Sequence, residues 1–482
     1  YTYLGNMDEQ LYCEAMTDNA YTKQPNDFTQ NIGNGSYSTA DSYVKQVWDG
    51  RYTGIRMCNQ LLENIDRVPD LDPELKKRYI GEAKVLRAYS YYELYTKFGD
   101  IPYTTKVLSI KESMSIARTA KATVIANILA DLDEVINGNY LPTSYDADNK
   151  GRITRWAAMA IKAKIYLFEG NWTQVKNITS TIMTEGGFKL FGSYAGLFEI
   201  ANEYNSEVIL DAQYRPTSRE HQMMYVFLPP TLGGYSQLSP LQELVDSYIM
   251  LDGKTIKETG TSFDESHPYA NRDPRLKATV MYTGNSYTLA DGTEVVINCE
   301  KGEGKDGYGV GSDCSATGYY IKKYWDNTYR ATLYSGLNPI LIRYADILLM
   351  NAEALAELGE LDKTAWDATI KPIRDRAGFT LASALEFPEG ASKDKLIEIV
   401  RNERRSELAL EGHRHKDIIR WRIADNVLNG WCHGLKTNDV VGTDDGYVRV
   451  ENRTFNANKH YLWPIPQAER DLNGNLEQNP NW

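Results

Sequence analysis

Residues Leu396–Arg422 read LIEIVRNERRSELALEGHRHKDIIRWR. The stretch begins and ends apolar and carries a polar block, Arg401–Glu407, between. The block has no Gly or Pro and is rich in good helix formers, so it reads as helix rather than loop. On a helix the inward stripe runs Leu396, Val400, Glu403, Glu407, Leu410. Two carboxylates therefore fall on the buried side. A buried carboxylate without a partner is very costly, so each requires a cation nearby. Arg401, Arg404, Arg405, Arg414 and Arg420 are within reach of this helix or its neighbours. The stretch predicts a helix whose inner face carries an ion-pair lattice that other helices complete.

Upstream, the chain shows helix pairs. Residues Ile342–Phe379 place Ala352, Ala354 and Ala356 before Gly359 and a second helix. Residues Arg155–Leu190 repeat the rhythm with Ala157, Ala160, Ala163, Tyr166, Gly170 and a new helix at Trp172. Small residues let helices approach closely, and the Gly ends one helix before the next returns. Both stretches resemble tetratricopeptide units, degenerate and without a regular period along the chain. Helical patterns also cover Ser42–Val68, Glu74–Phe98, Thr119–Asn137 and Thr154–Glu169. Residues 186–337 break the rhythm: Glu207–Tyr214, Glu294–Glu300 and Gly318–Trp325 read as strands, and Leu228–Pro240 as a loop. Ala424–Trp482 reads as mostly irregular, and residues 1–41 as loop apart from a helix near Asp8–Met16.

The fold class expected is mainly α. Tetratricopeptide-like pairs form a superhelical scaffold over about 42–190 and 338–422 of a single domain. An irregular, short-strand-rich part, about 1–41 and 191–337, carries the ligand face, and 423–482 is a C-terminal irregular segment.

Composition excludes some functions. The 482-residue chain has a formal net charge of −12, which disfavours general nucleic-acid binding and gives no pull towards an anionic membrane surface. No apolar run is long enough to span a bilayer. The sequence opens at Tyr1 without Met or a signal-like stretch, which reads as a mature or trimmed form. None of the five cysteines forms a CxxC, so a zinc site is not expected. Cys299 and Cys314 are either bridged or two unpaired thiols. Tyr, at 34 against 11 Phe and 9 Trp, suits a surface that grips polar ligands with C–H faces, such as sugars, although most of these rings serve helix contacts.

Motifs for chemistry are weak. Asp146–Gly151 has a partial calcium-loop pattern, but Lys150 and Ala157 occupy ligand positions, so it reads as a plain turn. The GxGxxG at Gly302–Gly307 is followed by Tyr308-Gly309-Val310-Gly311 rather than a helix, which removes the phosphate-binding terminus. His413 and His415, two apart, cannot face one metal on a helix. Glu403 and Glu407 form an obvious carboxylate pair, but neighbouring arginines depress their pKa values, which is wrong for a general acid. No cofactor and no metal is expected.

The wording RNERRSELALEGHRHKDIIRW resembles the C-terminal signature of the SusD-like (RagB/SusD) family of Bacteroidetes nutrient-binding outer-membrane lipoproteins. GEAKVLRAYSYYELYTKFGDIPY, the Trp48–Tyr52–Ile55–Asn59 helix, QELVDSYIMLDGK, NRDPRL and the ending YLWPIPQAERDLNGNLEQNPNW are similar to further family patterns in the same order. The resemblance implies a helical scaffold with irregular excursions for ligand, and a lipid-anchored place at the cell surface. It implies binding of glycans or, in some cases, peptides, and capping of a SusC-like TonB-dependent transporter. It implies no enzyme activity. The lipidated Cys is absent here, so anchoring rests on resemblance alone. Three functions stand: glycan capture for the transporter, a peptide-binding lid of the same fold, and a helical glycoside hydrolase.

The family's ligand loops have no motif to match, so candidate residues come from aromatics in equivalent loops. They are Phe28 and Tyr37 in the N-terminal loop, Tyr235 before QELVD, Tyr269 before NRDPRL, and Trp325. Asp41 and Gln237 are candidates for hydrogen bonds to hydroxyls.

Overall fold

The computed structural model describes residues 7–23, 28–329 and 332–482; the side chains of Phe28 and Tyr329 fall outside that description. Helix α1 (Ser42–Asn64) starts where the Asp41 carboxylate accepts hydrogen bonds from the Tyr43 and Val44 N–H groups. Helix α2 (Pro73–Phe98) starts on an Asp72 cap with Pro in its first turn and stops at Gly99, whose φ of 71° suits glycine. Helices α3 (Lys121–Asn137), α4 (Arg155–Phe168), α5 (Trp172–Glu185), α6 (Tyr344–Leu358) and α7 (Lys393–Glu407) follow. Each packs on the next, and α5 packs on α6 although residues 186–343 lie between them. The stack is mainly α-helical and of tetratricopeptide-like pairs. Ala157, Ala160 and Ala163 are fully buried in α4, which is how the neighbouring helices approach closely. Trp48, Tyr91, Tyr95, Phe98, Ile128 and Ile165 fill the core between them.

The excursion between α5 and α6 has a second core, with Phe227, Tyr248, Tyr287, Tyr319 and Tyr320 buried. Its strands are shorter than the sequence pattern suggests. Val208–Asp211 pairs antiparallel with Ile340–Arg343 and so brings the chain back to the start of α6. Val280–Met281 pairs with Tyr320–Ile321, and Ser286–Thr288 with Glu294–Val296. Strand β1 (Ala20–Thr22) pairs antiparallel with β2 (Leu238–Pro240), which ties the N-terminal segment to the excursion.

The C-terminal region departs from the irregular segment expected of it. Strands β3 (Gly430–Lys436), β4 (Thr443–Asp444) and β5 (Tyr447–Arg453) form an antiparallel sheet in the order β4-β5-β3. The cause is a two-residue hairpin turn at Asp445-Gly446, both with positive φ, which is the geometry that matches strand twist.

The opening stretch is not one helix. Helix α7 ends at Glu407, the chain turns through Leu410 (φ 62°) and Gly412 (φ 78°), and a short helix follows over Arg414–Arg420. The lattice is present, but its wiring differs from the expected one. Glu407 accepts from Arg343 at 2.6 Å, from Arg275 at 2.8 Å and from Arg376. Glu403 pairs with Arg275 and Arg374, both at 2.7 Å. The signature's own arginines serve carboxylates elsewhere. Arg404 holds Asp346 and Asp417, Arg420 holds Glu353, Arg401 holds Glu357, and Arg405 and Arg414 hold Asp18. Helical geometry explains the exchange: residues one position from the inward stripe point sideways at neighbours, not back at their own face.

All five cysteines are unpaired, so Cys299 and Cys314 are the two-thiol alternative. Asp146 caps a turn, accepting from the Asn149 N–H at 3.0 Å. Among the described residues no group of three or more His, Cys, Asp or Glu is placed to hold a metal ion.

Candidate ligand-binding face

The charged residues under α7 are poor chemistry. Burial pushes the Glu407 carboxyl up, but the guanidinium groups of Arg376, Arg343 and Arg275 outweigh it and hold the group well below the usual carboxylate range. Glu403 is lowered in the same way against its burial, by Arg275 and Arg374. Both stay ionised and donate no proton near neutral pH. His413 and His415 line a cavity of about 100 Å³ with Lys97, Lys164, Lys416 and Glu93. Burial and the adjacent lysines push both imidazoles down to about 3, so they are neutral. That volume has room for several waters.

The loops of the excursion offer a different surface. Tyr225 sits on a short helix, Met223–Phe227, and Tyr235 follows the turn at Pro230–Leu232. Their rings stack with centroids 5.9 Å apart and planes 16° apart. Tyr334 meets Tyr225 edge-on, 6.5 Å away at 88°. Tyr235 is 47% exposed and Tyr334 39%. Backbone bonds hold this platform: the Tyr235 N–H donates to the Tyr225 carbonyl at 2.8 Å, and the Ser236 N–H to Leu228 at 3.2 Å. Gly234 is required because a Cβ there would sit 2.1 Å from the Leu228 oxygen. Ser335 exchanges backbone bonds with His221 and donates its hydroxyl to Asp326 at 2.7 Å, fixing the loop that carries Tyr334. The buried side chains of Leu228, Leu232 and Leu333 lie in the core beneath.

Among the described residues, the three tyrosine hydroxyls and the half-buried Gln237 amide have no hydrogen-bond partner, so they are open to a guest. Lys23 is not open: its ammonium donates to the Ser312 and Cys314 carbonyls at 2.5 and 2.6 Å. An aromatic pair with unspent hydroxyl and amide groups can stack on a C–H face and hydrogen-bond to its rim.

The structure scatters the sequence-derived candidates. Tyr235 is part of the platform, and Gln237 follows it two residues on. Tyr37 is buried at 4% exposure between His460 and Trp482, which removes it from any surface. Asp41 is spent as the α1 cap and as the acceptor of Asn31 Nδ2 at 3.3 Å. Tyr269 stacks on Tyr282 at 4.0 Å, with its hydroxyl 3.3 Å from that of Tyr319. Trp325 packs on Tyr287 at 5.5 Å and its indole N–H donates to the Thr288 carbonyl at 2.8 Å. The side chain of Phe28 lies outside the described residues. Tyr225 and Tyr334 were missed. Tyr334 stands before Ser335-Gly336, a turn signal that marks an exposed ring, whereas MMYVF around Tyr225 reads as apolar core.

Comparisons with known proteins agree with this architecture. Residues 197–482 match the model of the SusD family, and residues 3–167 match a model described as starch-binding associating with outer membrane. A SusD-like protein, P25, of Formosa agariphila is 27% identical over 409 residues, spanning 80% of this chain and 71% of that protein. The crystal structure of a SusD-like carbohydrate binding protein from Bacteroides fragilis superposes with a TM-score of 0.86 at 29% identity, over 97% of this chain and 92% of the other. A laminarin binding SusD-like protein shares the fold at a TM-score of 0.73 and 24% identity, over 98% and 94% of the two chains. With more than half of its length matched by that family model, the chain belongs to the SusD family.

Proposed function

We propose that this protein captures oligosaccharides at the outer-membrane surface and passes them to a SusC-like TonB-dependent transporter. It acts as a binding protein rather than an enzyme and is held at the outer membrane by a lipid anchor. The observation that carries the reading is the exposed Tyr225–Tyr235 stack with Tyr334 at its edge, on the loop excursion of a SusD-family scaffold. A structural relative named as carbohydrate binding supports the ligand class, and the family description supports outer-membrane association. A sugar ring lies flat on the exposed face of Tyr235, and the Gln237 amide and tyrosine hydroxyls meet its hydroxyls. Titration calorimetry against neutral oligosaccharides tests this. Binding that weakens on Tyr235→Ala and Tyr334→Ala supports it; binding to peptides alone, or equal affinity in both variants, overturns it. Transporter delivery is tested separately by co-purification with a SusC-like β-barrel transporter.

A further inference from the structure

The C-terminal sheet carries an aromatic that the platform does not use. Trp431, on β3, is 44% exposed, and its indole N–H has no hydrogen-bond partner among the described residues. The Arg449 guanidinium lies 5.5 Å from the indole ring. Asp444 fixes that guanidinium, accepting from Arg449 Nε at 2.9 Å, and also faces His433 Nε2 at 3.0 Å. His433 in turn meets Glu243 at 2.8 Å through Nδ1. Exposed Asn452 pairs directly across the strands from Trp431, and its amide is unpartnered among the described residues.

This is not a fragment of an apolar patch. The exposed valines of the same hairpin, Val440 and Val441, lie beyond the far end of β3. From Trp431 to the end of β3 alone is roughly 17 Å of strand at about 3.4 Å per residue. What surrounds the indole is polar, planar and fixed: a guanidinium held by a carboxylate, and a free amide. With the guanidinium over the ring, an exposed indole flanked by such groups suits a ring with a C–H face and hydroxyl edges. Rigid elements join it to the tyrosine platform. Gln237 leads into β2, β2 pairs with β1, and the helix Phe28–Asn34 packs on both β1 and β5. Gln30 of that helix donates to Glu451 of β5 at 3.0 Å.

We propose that Trp431, with Arg449 and Asn452, is a second sugar-stacking subsite, so that the protein selects long polysaccharide chains over short oligosaccharides. The inference rests on the glycan-binding reading above. A polymer engages both aromatics, and the second contact adds to the first as an intramolecular event. A tetrasaccharide is held by the platform alone.

The test uses the full chain with soluble starch, laminarin, xylan and mannan, each beside its tetrasaccharide, by affinity electrophoresis and calorimetry. Trp431→Ala is expected to weaken the polysaccharide that binds best by three- to tenfold and its tetrasaccharide by less than twofold, with an unchanged melting temperature. Trp431→Phe, which keeps a ring, is expected to retain most of the affinity. Equal polymer affinity in Trp431→Ala overturns the subsite while leaving the platform in place, provided Tyr235→Ala still weakens both ligands. A wild-type protein that binds none of the polysaccharides overturns the subsite together with the reading it rests on.

Discussion

Beneath α7, Glu403, Glu407 and Glu411 each face at least two cations drawn from other parts of the chain. At the tyrosine platform, hydroxyls and an amide face none among the described residues. The two regions use polar groups in opposite ways. In the lattice every charge is desolvated, so the removal of one partner leaves another buried and uncompensated. At the platform, polar groups kept in water lose little by being unpaired and are free to exchange water for a guest. The frame is over-determined where it holds the chain together and undemanding where it meets solvent.

The largest expected effect comes from breaking the lattice. Arg343 donates to Glu207, Glu407 and Glu411 at 2.6–2.7 Å from a fully buried position. Arg343→Ala is expected to cost about 3–5 kcal/mol, read from urea unfolding, because three carboxylates lose a shared cation. A loss below about 1 kcal/mol would place the lattice on a par with surface pairs.

Acid acts on the same groups. Glu403, Glu407 and Glu411 have folded pKa values depressed below the ordinary 4.5, against their burial, by arginines and, for Glu411, Lys323. Their contribution is present above about pH 4.5 and is lost as pH falls through the lowered values. Glu14 has the opposite sign: burial raises it to about 7, although Asn19 and the Gly412 N–H donate to it. Its contribution is full below about pH 4.5 and fades as pH rises towards 7 and above. Unfolding midpoints from pH 3 to 9 are expected to fall steeply on the acid side. A Glu14→Gln variant is expected to gain on the wild type as pH rises from 5 to 8.

Substitution at the platform is expected to act on binding alone. Tyr235→Ala should weaken oligosaccharide binding about tenfold, equivalent to about 1.4 kcal/mol, while the unfolding free energy stays within about 0.5 kcal/mol of wild type. A large stability loss would mean that the ring is packing rather than platform. The smallest effect belongs to the thiols. With all five cysteines unpaired, dithiothreitol is expected to leave the melting temperature unchanged.

The frame was legible in the sequence because helices announce themselves locally. Asp72-Pro73 and Gly99 bracket α2, and Ala157, Ala160 and Ala163 mark the close-packed α4. The need for cations under Glu403 and Glu407 was equally local, but their identity was not. Arg275, Arg343 and the pair Arg374 and Arg376 arrive from three separate stretches, and only tertiary folding chooses them over the nearer arginines. The C-terminal sheet had a readable Asp445-Gly446 turn that the surrounding polar residues obscured. At the ligand face, Tyr235 and Tyr37 look alike in sequence, each beside turn residues. Tyr37 is buried because His460 and Trp482 return to cover it.

Hydrogen–deuterium exchange with and without a saturating oligosaccharide tests the central claim, that a rigid helical frame delegates recognition to its loops. The account predicts new protection in the 223–237 and 332–337 amides and no change along α2, α4, α6 and α7. Protection centred instead on the cavity at Glu411–Lys416, with the tyrosine loops unchanged, would contradict it.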